Sequence, residues 1–297
     1  EVEGSTWLRF QLDEEREPTS AVVLAFAGAS TPDVQGNSQH VLQERRNNHI
    51  IVPAELLGPG LNGVHANFRT KVAPTGTPLT VHRDPSDQRE YFYTLLVPAD
   101  AHGLFPCFDQ PDLRARFRLE VDVPPEWTAV ANAEPTEADD PLFPAAPAGR
   151  LWRFAPTQPL PPYLFAVAAG PFAESTRAHP IVPGITTDAP MRILLRESKL
   201  EHLDRGAIIK LHHEGLAWLA ETFDVPYPFD KLDLVLLPGF PYGGMEHAGA
   251  IFYRETSLVF DHPPTVAEQV RRSTLVYHEL SHQWFGNLVT MKWFDDL

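Results

Sequence analysis

Over roughly the first 172 residues, apolar positions recur at every second place in short runs, the period of a half-buried strand. The clearest run is Ala115 to Val123. Ala115, Phe117, Leu119, Val121 and Val123 fall on one face; Arg116, Arg118, Glu120 and Asp122 fall on the other. Trp7 to Leu12 alternates in the same way, and Ala21 to Phe26 is a short apolar run. Val64 to Arg69, Tyr91 to Val97, Leu151 to Phe154 and Tyr163 to Ala169 complete the predicted strands. Clusters of Pro, Gly, Asn and Asp separate them, which predicts an antiparallel sandwich or saddle-shaped sheet. Ala133 to Gly149 is rich in Ala, Pro and acidic residues and reads as a long exposed hairpin loop.

Beyond residues 173 to 190 the period changes. Ser198 with Glu201 forms a candidate capping box, and Ile208, Leu211, Leu216, Leu219 and Phe223 mark an amphipathic helix to about Thr222. Pro226 and Pro228 end it. Leu232 to Leu237 predicts a buried strand, Pro238 to Gly244 a Gly-rich turn, and Ala250 to Arg254 another strand. A second helix follows Pro263-Pro264. Thr265 and Glu268 make its capping box, Val266, Val270, Val276, Leu280 and Trp284 its apolar stripe, and Gly286 its stop. The predicted fold class is α+β, with a β-rich N-terminal domain over residues 1–180 and a second domain over residues 181–297.

Composition narrows the partners. At 297 residues the chain is long enough for two cores, and 43% hydrophobic with 21% charged residues is the balance of a soluble globular protein. Thirty prolines fit turns and edge strands better than a helical bundle. A net charge of −15 argues against a nucleic-acid backbone or an anionic membrane as partner. It leaves room for cationic ligands, or simply for solubility. The single cysteine, Cys107, excludes an intrachain disulfide and a Cys-based zinc site. With no apolar run of membrane length, this fits a cytoplasmic protein better than a secreted one. The chain begins at Glu1 without Met, which predicts a processed chain or a piece of something longer.

The second helix carries the chemistry. His278-Glu279-Leu280-Ser281-His282 places two imidazoles four residues apart, hence on one helical face, where both can meet one zinc ion. Glu279 lies about 100° further round, within reach of a water at the metal but out of line as a ligand. His202, His212 and His213 lie on the first helix. The adjacent pair points about 100° apart, so all three are predicted to be solvated or packed.

Several motifs together resemble the M1 aminopeptidases, a gluzincin family. Val276 to Thr290, running VYHELSHQWFGNLVT, is similar to the family's zinc helix. Gly243-Gly244-Met245-Glu246-His247 resembles its GxMEN exopeptidase motif, Pro226 to Lys231 the segment before it, and Phe105 to Asp112 a marker of its β domain. Phe240 to Met245 resembles in particular the leukotriene A4 hydrolase and aminopeptidase B branch. The resemblance runs from about residue 91 to the end. It implies a thermolysin-like catalytic domain, present in its first part, and release of one residue from the N-terminus of a peptide.

The roles implied are these. His278 and His282 hold Zn2+, which polarises the scissile carbonyl and acidifies its water. Glu279 takes that water's proton and passes it to the leaving amine. Glu246 pairs with the free α-ammonium of the substrate. Met245 cushions the first side chain, while Gly243 and Gly244 leave the backbone open to an added peptide strand; His247 completes the motif. Three departures stand out. The family's third zinc ligand, a Glu, falls at position 301, and the sequence ends at Leu297, which predicts a truncated site unless Asp295 or Asp296 completes it. His247 replaces the motif's Asn. Leu95 stands where the β domain brings a Gln to the substrate amine, and Val97 replaces an acidic neighbour. A lost polar contact of that kind costs about 0.5–1.5 kcal/mol. Two other readings follow from these departures and from the branch resemblance: a non-catalytic peptide-binding scaffold, and an epoxide-hydrolase-like enzyme.

Overall fold

In the computed structural model, which describes residues 1–15, 17–41, 45–74, 76–136, 149–176 and 191–296, the alternating segments form antiparallel sheets. One runs in the order Val2–Gln11, Leu61–Thr70, Ser30–Gly36, Gln39–His40, and a second in the order Val22–Ala25, His49–Val52, Arg45–Arg46. Leu24, Ile50 and Val52 from one, with Val34, Val64 and Ala66 from the other, form a single buried cluster between them. Alternation places those residues on the inner faces. A third sheet runs Thr128–Ala131, Val167–Gly170, Glu90–Thr94, Leu79–Arg83, and Glu120–Val123 pairs with Arg150–Arg153.

The second half is built on a mixed five-stranded sheet, ordered Ala173–Thr176, Arg192–Leu195, Asp233–Leu237, Ala250–Arg254, Gly244–Met245. Its two inner pairings are parallel and its two outer ones antiparallel. Asp233–Leu237 is buried throughout, because both faces of the sheet are covered. Leu234 and Leu236 pack with Leu216, Val276 and Leu280 from the helices. Val235 and Leu237 pack instead with Tyr91, Tyr93 and Tyr163, which belong to the preceding β-rich region. The sheet is therefore the middle layer of the junction between the two halves.

Three α-helices cover its other face: α1 (Arg205–Phe223), α2 (Glu255–Leu258) and α3 (Val266–Ser281). α1 starts at Asp204, whose carboxylate accepts the Ala207 N–H at 3.1 Å. It ends at Asp224 in the left-handed region, φ +52°. The helices approach closely at Gly215, where a Cβ would meet Leu280 Cδ1 at 2.7 Å.

Several expectations are corrected. Ser198 and Glu201 do not cap α1; they sit in a 3-10 turn, Glu197–His202, and Leu203 is extended before the helix begins. Of the predicted Ala115–Val123 strand, only Glu120–Val123 joins a sheet, because its partner is four residues long; Ala115 makes an isolated bridge to Leu160. Tyr163 and Leu164 belong to a 3-10 turn rather than to the strand that follows. α3 ends at Ser281, short of Gly286, and Val266 and Val270 of its stripe are 76% and 58% exposed. Most of the Ala133–Gly149 loop and the predicted boundary at 180/181 lie outside the described residues. Strands from both sides of that boundary, Ala173–Thr176 and Arg192–Leu195, share the mixed sheet.

Candidate active site

α3 is started by the predicted capping box. Thr265 Oγ1 accepts the Glu268 N–H at 3.3 Å, and Glu268 Oε2 accepts the Thr265 N–H at 2.8 Å. The helical repeat then brings His278 and His282 together, with their Nε2 atoms 3.2 Å apart and their rings nearly perpendicular. The Phe285 carbonyl lies 2.9 Å from His282 Nδ1. A carbonyl only accepts, so Nδ1 carries the proton and Nε2 keeps its lone pair, the tautomer a metal ligand needs. Two nitrogens on one tetrahedral zinc at about 2.0–2.1 Å stand about 3.3 Å apart. The pair fits the ion in spacing and in donor chemistry. Among the described residues, no group of three or more His, Cys, Asp or Glu side chains able to hold a metal forms, so Asp295 and Asp296 do not join the histidines.

Glu279, between them in sequence, turns inward and is buried. It faces the outer strand of the mixed sheet. A Cβ at Gly244 would land on the Glu279 carboxylate, so glycine here makes room for the acid. Burial first, and then the nearby charge of Glu246, push the Glu279 carboxyl up to about 8. Glu246 also acts on Tyr163, whose phenol is held above its usual range by burial and by that charge, against the bond to Thr290. Tyr163 donates to the Gly286 carbonyl at 3.0 Å and stands 3.3 Å from Thr290 Oγ1.

The Gly243–His247 segment is fixed at both ends. Gly243 O accepts the Arg254 N–H at 2.8 Å, and the Arg254 guanidinium bonds the Phe240 and Pro241 carbonyls. Gly244–Met245 pairs with Phe252 and Tyr253 as the outermost strand. Met245 is buried in the layer between the two halves, and Leu95 and Val97 pack against that same layer. Glu246 is half-buried. The His247 ring is fully buried, set edge-on to Phe252 at 4.5 Å, with neither nitrogen hydrogen-bonded. Burial alone depresses it to about 3. The structure thus brings the segment Gly244–Glu246 to His278, Glu279 and His282, and buries the His247 side chain against Phe252.

His212 is packed: its Nδ1 meets the Ile208 carbonyl at 2.8 Å and its Nε2 the Tyr253 hydroxyl at 3.0 Å. Tyr163, Arg254, Gln283 and Asn287 had no role assigned from sequence. Gln283 and Asn287 fall four residues apart after Glu279, a spacing that could have linked them. Nothing local marks Tyr163 or Arg254, which reach the site through tertiary packing.

The Peptidase family M1 domain matches residues 209–297, and the Peptidase M1 N-terminal domain matches residues 32–164. The chain belongs to peptidase family M1. Aminopeptidase N of Streptomyces lividans is 34% identical over 266 residues, 89% of this chain and 29% of that protein. Aminopeptidase M1-A of Oryza sativa subsp. japonica is 34% identical over 220 residues, 73% of this chain and 24% of that protein. Aminopeptidase N of Homo sapiens is 34% identical over 207 residues, 69% of this chain and 20% of that protein. The chain thus spans less than a third of the length of these curated relatives. Among the described residues, no helix is long and apolar enough to cross a membrane.

Proposed function

We propose that the protein carrying this chain is a zinc aminopeptidase, acting on peptides with a free N-terminus, and that these residues supply its amine site and its general base. The observation that supports the reading best is the packing of Gly244 against the Glu279 carboxylate beside the histidine pair, with Glu246 two residues further along the same segment.

His278 and His282 would hold the ion; zinc, when bound, supplies a Lewis acid for the scissile carbonyl. Glu279 accepts a proton from the attacking water at its carboxylate and delivers it to the leaving amide nitrogen. Its burial keeps bulk water from competing for that proton. Glu246 receives the α-ammonium group by a charge-assisted hydrogen bond. That contact sets the register at one residue, so cleavage is confined to the first peptide bond. The outer edge of Gly244–Met245 offers backbone groups to an extended peptide.

Glu246→Ala in the full-length protein should lower kcat/KM on aminoacyl-arylamides by about 10- to 100-fold, the worth of one hydrogen bond to a charged group. Steady-state kinetics at saturating zinc decide it; parental kcat/KM in that variant would reject Glu246 as the amine site.

A further inference from the structure

Glu246 lies two residues beyond Gly244, and its main-chain carbonyl is held by two side-chain amides. Gln283 Nε2 donates to that carbonyl at 2.9 Å and Asn287 Nδ2 at 2.7 Å. Both amide side chains are fully buried. They are also tied to each other and to the base: Asn287 Nδ2 lies 3.3 Å from Gln283 Oε1, and Gln283 Nε2 lies 3.3 Å from the Glu279 carbonyl. One donor would satisfy a buried carbonyl; two converge here.

The turn that carries these amides is itself fixed to α3. Asn287 N–H donates to the His282 carbonyl at 3.0 Å, and Gln283 N–H to the Leu280 carbonyl at 3.1 Å. The two amides therefore join the histidine-bearing segment to Glu246, the residue before His247. A buried polar bridge of this kind has few alternative arrangements, because breaking it strands several polar groups at once.

We propose that Gln283 and Asn287 are positioning residues: by gripping the Glu246 carbonyl they set the register between the amine-receiving carboxylate and the His278–His282 pair. The inference rests on the aminopeptidase reading above. It assigns them no contact with substrate.

The test is a double-mutant cycle in the full-length, zinc-loaded protein. Asn287→Ala and the shape-conserving Gln283→Met are each made alone and together with Glu246→Ala. Each single substitution is expected to lower kcat/KM on an alanyl-arylamide by about 10- to 100-fold, as a small misplacement of a binding group does. With Glu246 already removed, the same substitution should cost less than about 3-fold. An equal loss in both backgrounds means a general structural role and overturns the proposal. If the parent protein hydrolyses no arylamide, the aminopeptidase reading fails by itself, and amide hydrogen exchange then decides the clamp. Faster exchange at Met245–Ala248 in Asn287→Ala, with α3 unchanged, supports it; unchanged exchange in that segment overturns it.

Discussion

Gly244 and His247 lie on either side of Glu246 in the chain, one making room by the absence of a side chain and the other burying a ring whose nitrogens make no hydrogen bond. Gly244→Ala would place a methyl on the Glu279 carboxylate and displace it. The expected result is a fall in kcat of about 100-fold with little change in melting temperature, measured by arylamide turnover and thermal unfolding. His247 and His212 are buried neutral imidazoles, depressed to about 3 and about 4, chiefly by burial. Their folded values lie below the unfolded value of about 6.5, so the unfolded chain binds more protons and stability falls as pH drops from there toward the folded values. Each should remove roughly 1–2 kcal/mol between pH 6.5 and 5. His247→Leu loses no hydrogen bond, since the ring nitrogens make none. Urea midpoints from pH 7 to 5 should therefore show a shallower decline in that variant; an unchanged decline would contradict the neutral, buried assignment.

At the level of elements, local chemistry and tertiary packing divide the credit. The Thr265–Glu268 capping box, the buried run of Asp233–Leu237 and the start of the Ala250–Arg254 strand were legible in the sequence, because each follows from neighbours a few residues away. The end of α3 was not. Gly286 has φ +132° and suggested the stop, yet the helix ends at Ser281 because residues 284–289 close their own turn, with Val289 N–H on the Trp284 carbonyl and Gly286 N–H on the Val289 carbonyl. Val266 and Val270 read as core residues by period but are exposed, since in that first half of α3 it is Arg272 that is buried. Ser30–Gly36 does not read as a strand locally: STPDVQG carries Pro, Asp and Gly, and pairing with Leu61–Thr70 and Gln39–His40 makes it one. Thr265→Ala should cost about 1 kcal/mol of stability and leave kcat unaltered, because the cap lies at the end of α3 remote from His278. Chemical denaturation beside arylamide kinetics separates the two effects.

At the scale of the molecule, the site spans layers that the sequence presents far apart. The mixed sheet packs on the β-rich half through Tyr91, Tyr93 and Tyr163, and polar bridges cross the same junction. Arg196 joins Asp84 to Glu255, with Nε and Nη2 on Glu255 at 2.9 and 2.6 Å. Asn132 Nδ2 donates to the Leu164 and Ala248 carbonyls at 2.8 and 3.0 Å. Such long-range partners leave no local signature, whereas the histidine spacing and the Gly243–His247 motif do, so the candidate site residues could be proposed from sequence and their supports could not. The central proposal is that Glu279 carries the proton beside a histidine-held zinc. Its most direct test is arylamide hydrolysis by the full-length protein with Glu279→Gln, zinc content measured in parallel. The prediction is a loss of kcat of about 10²- to 10⁴-fold with zinc content at the parental level; turnover near the parental rate would contradict it.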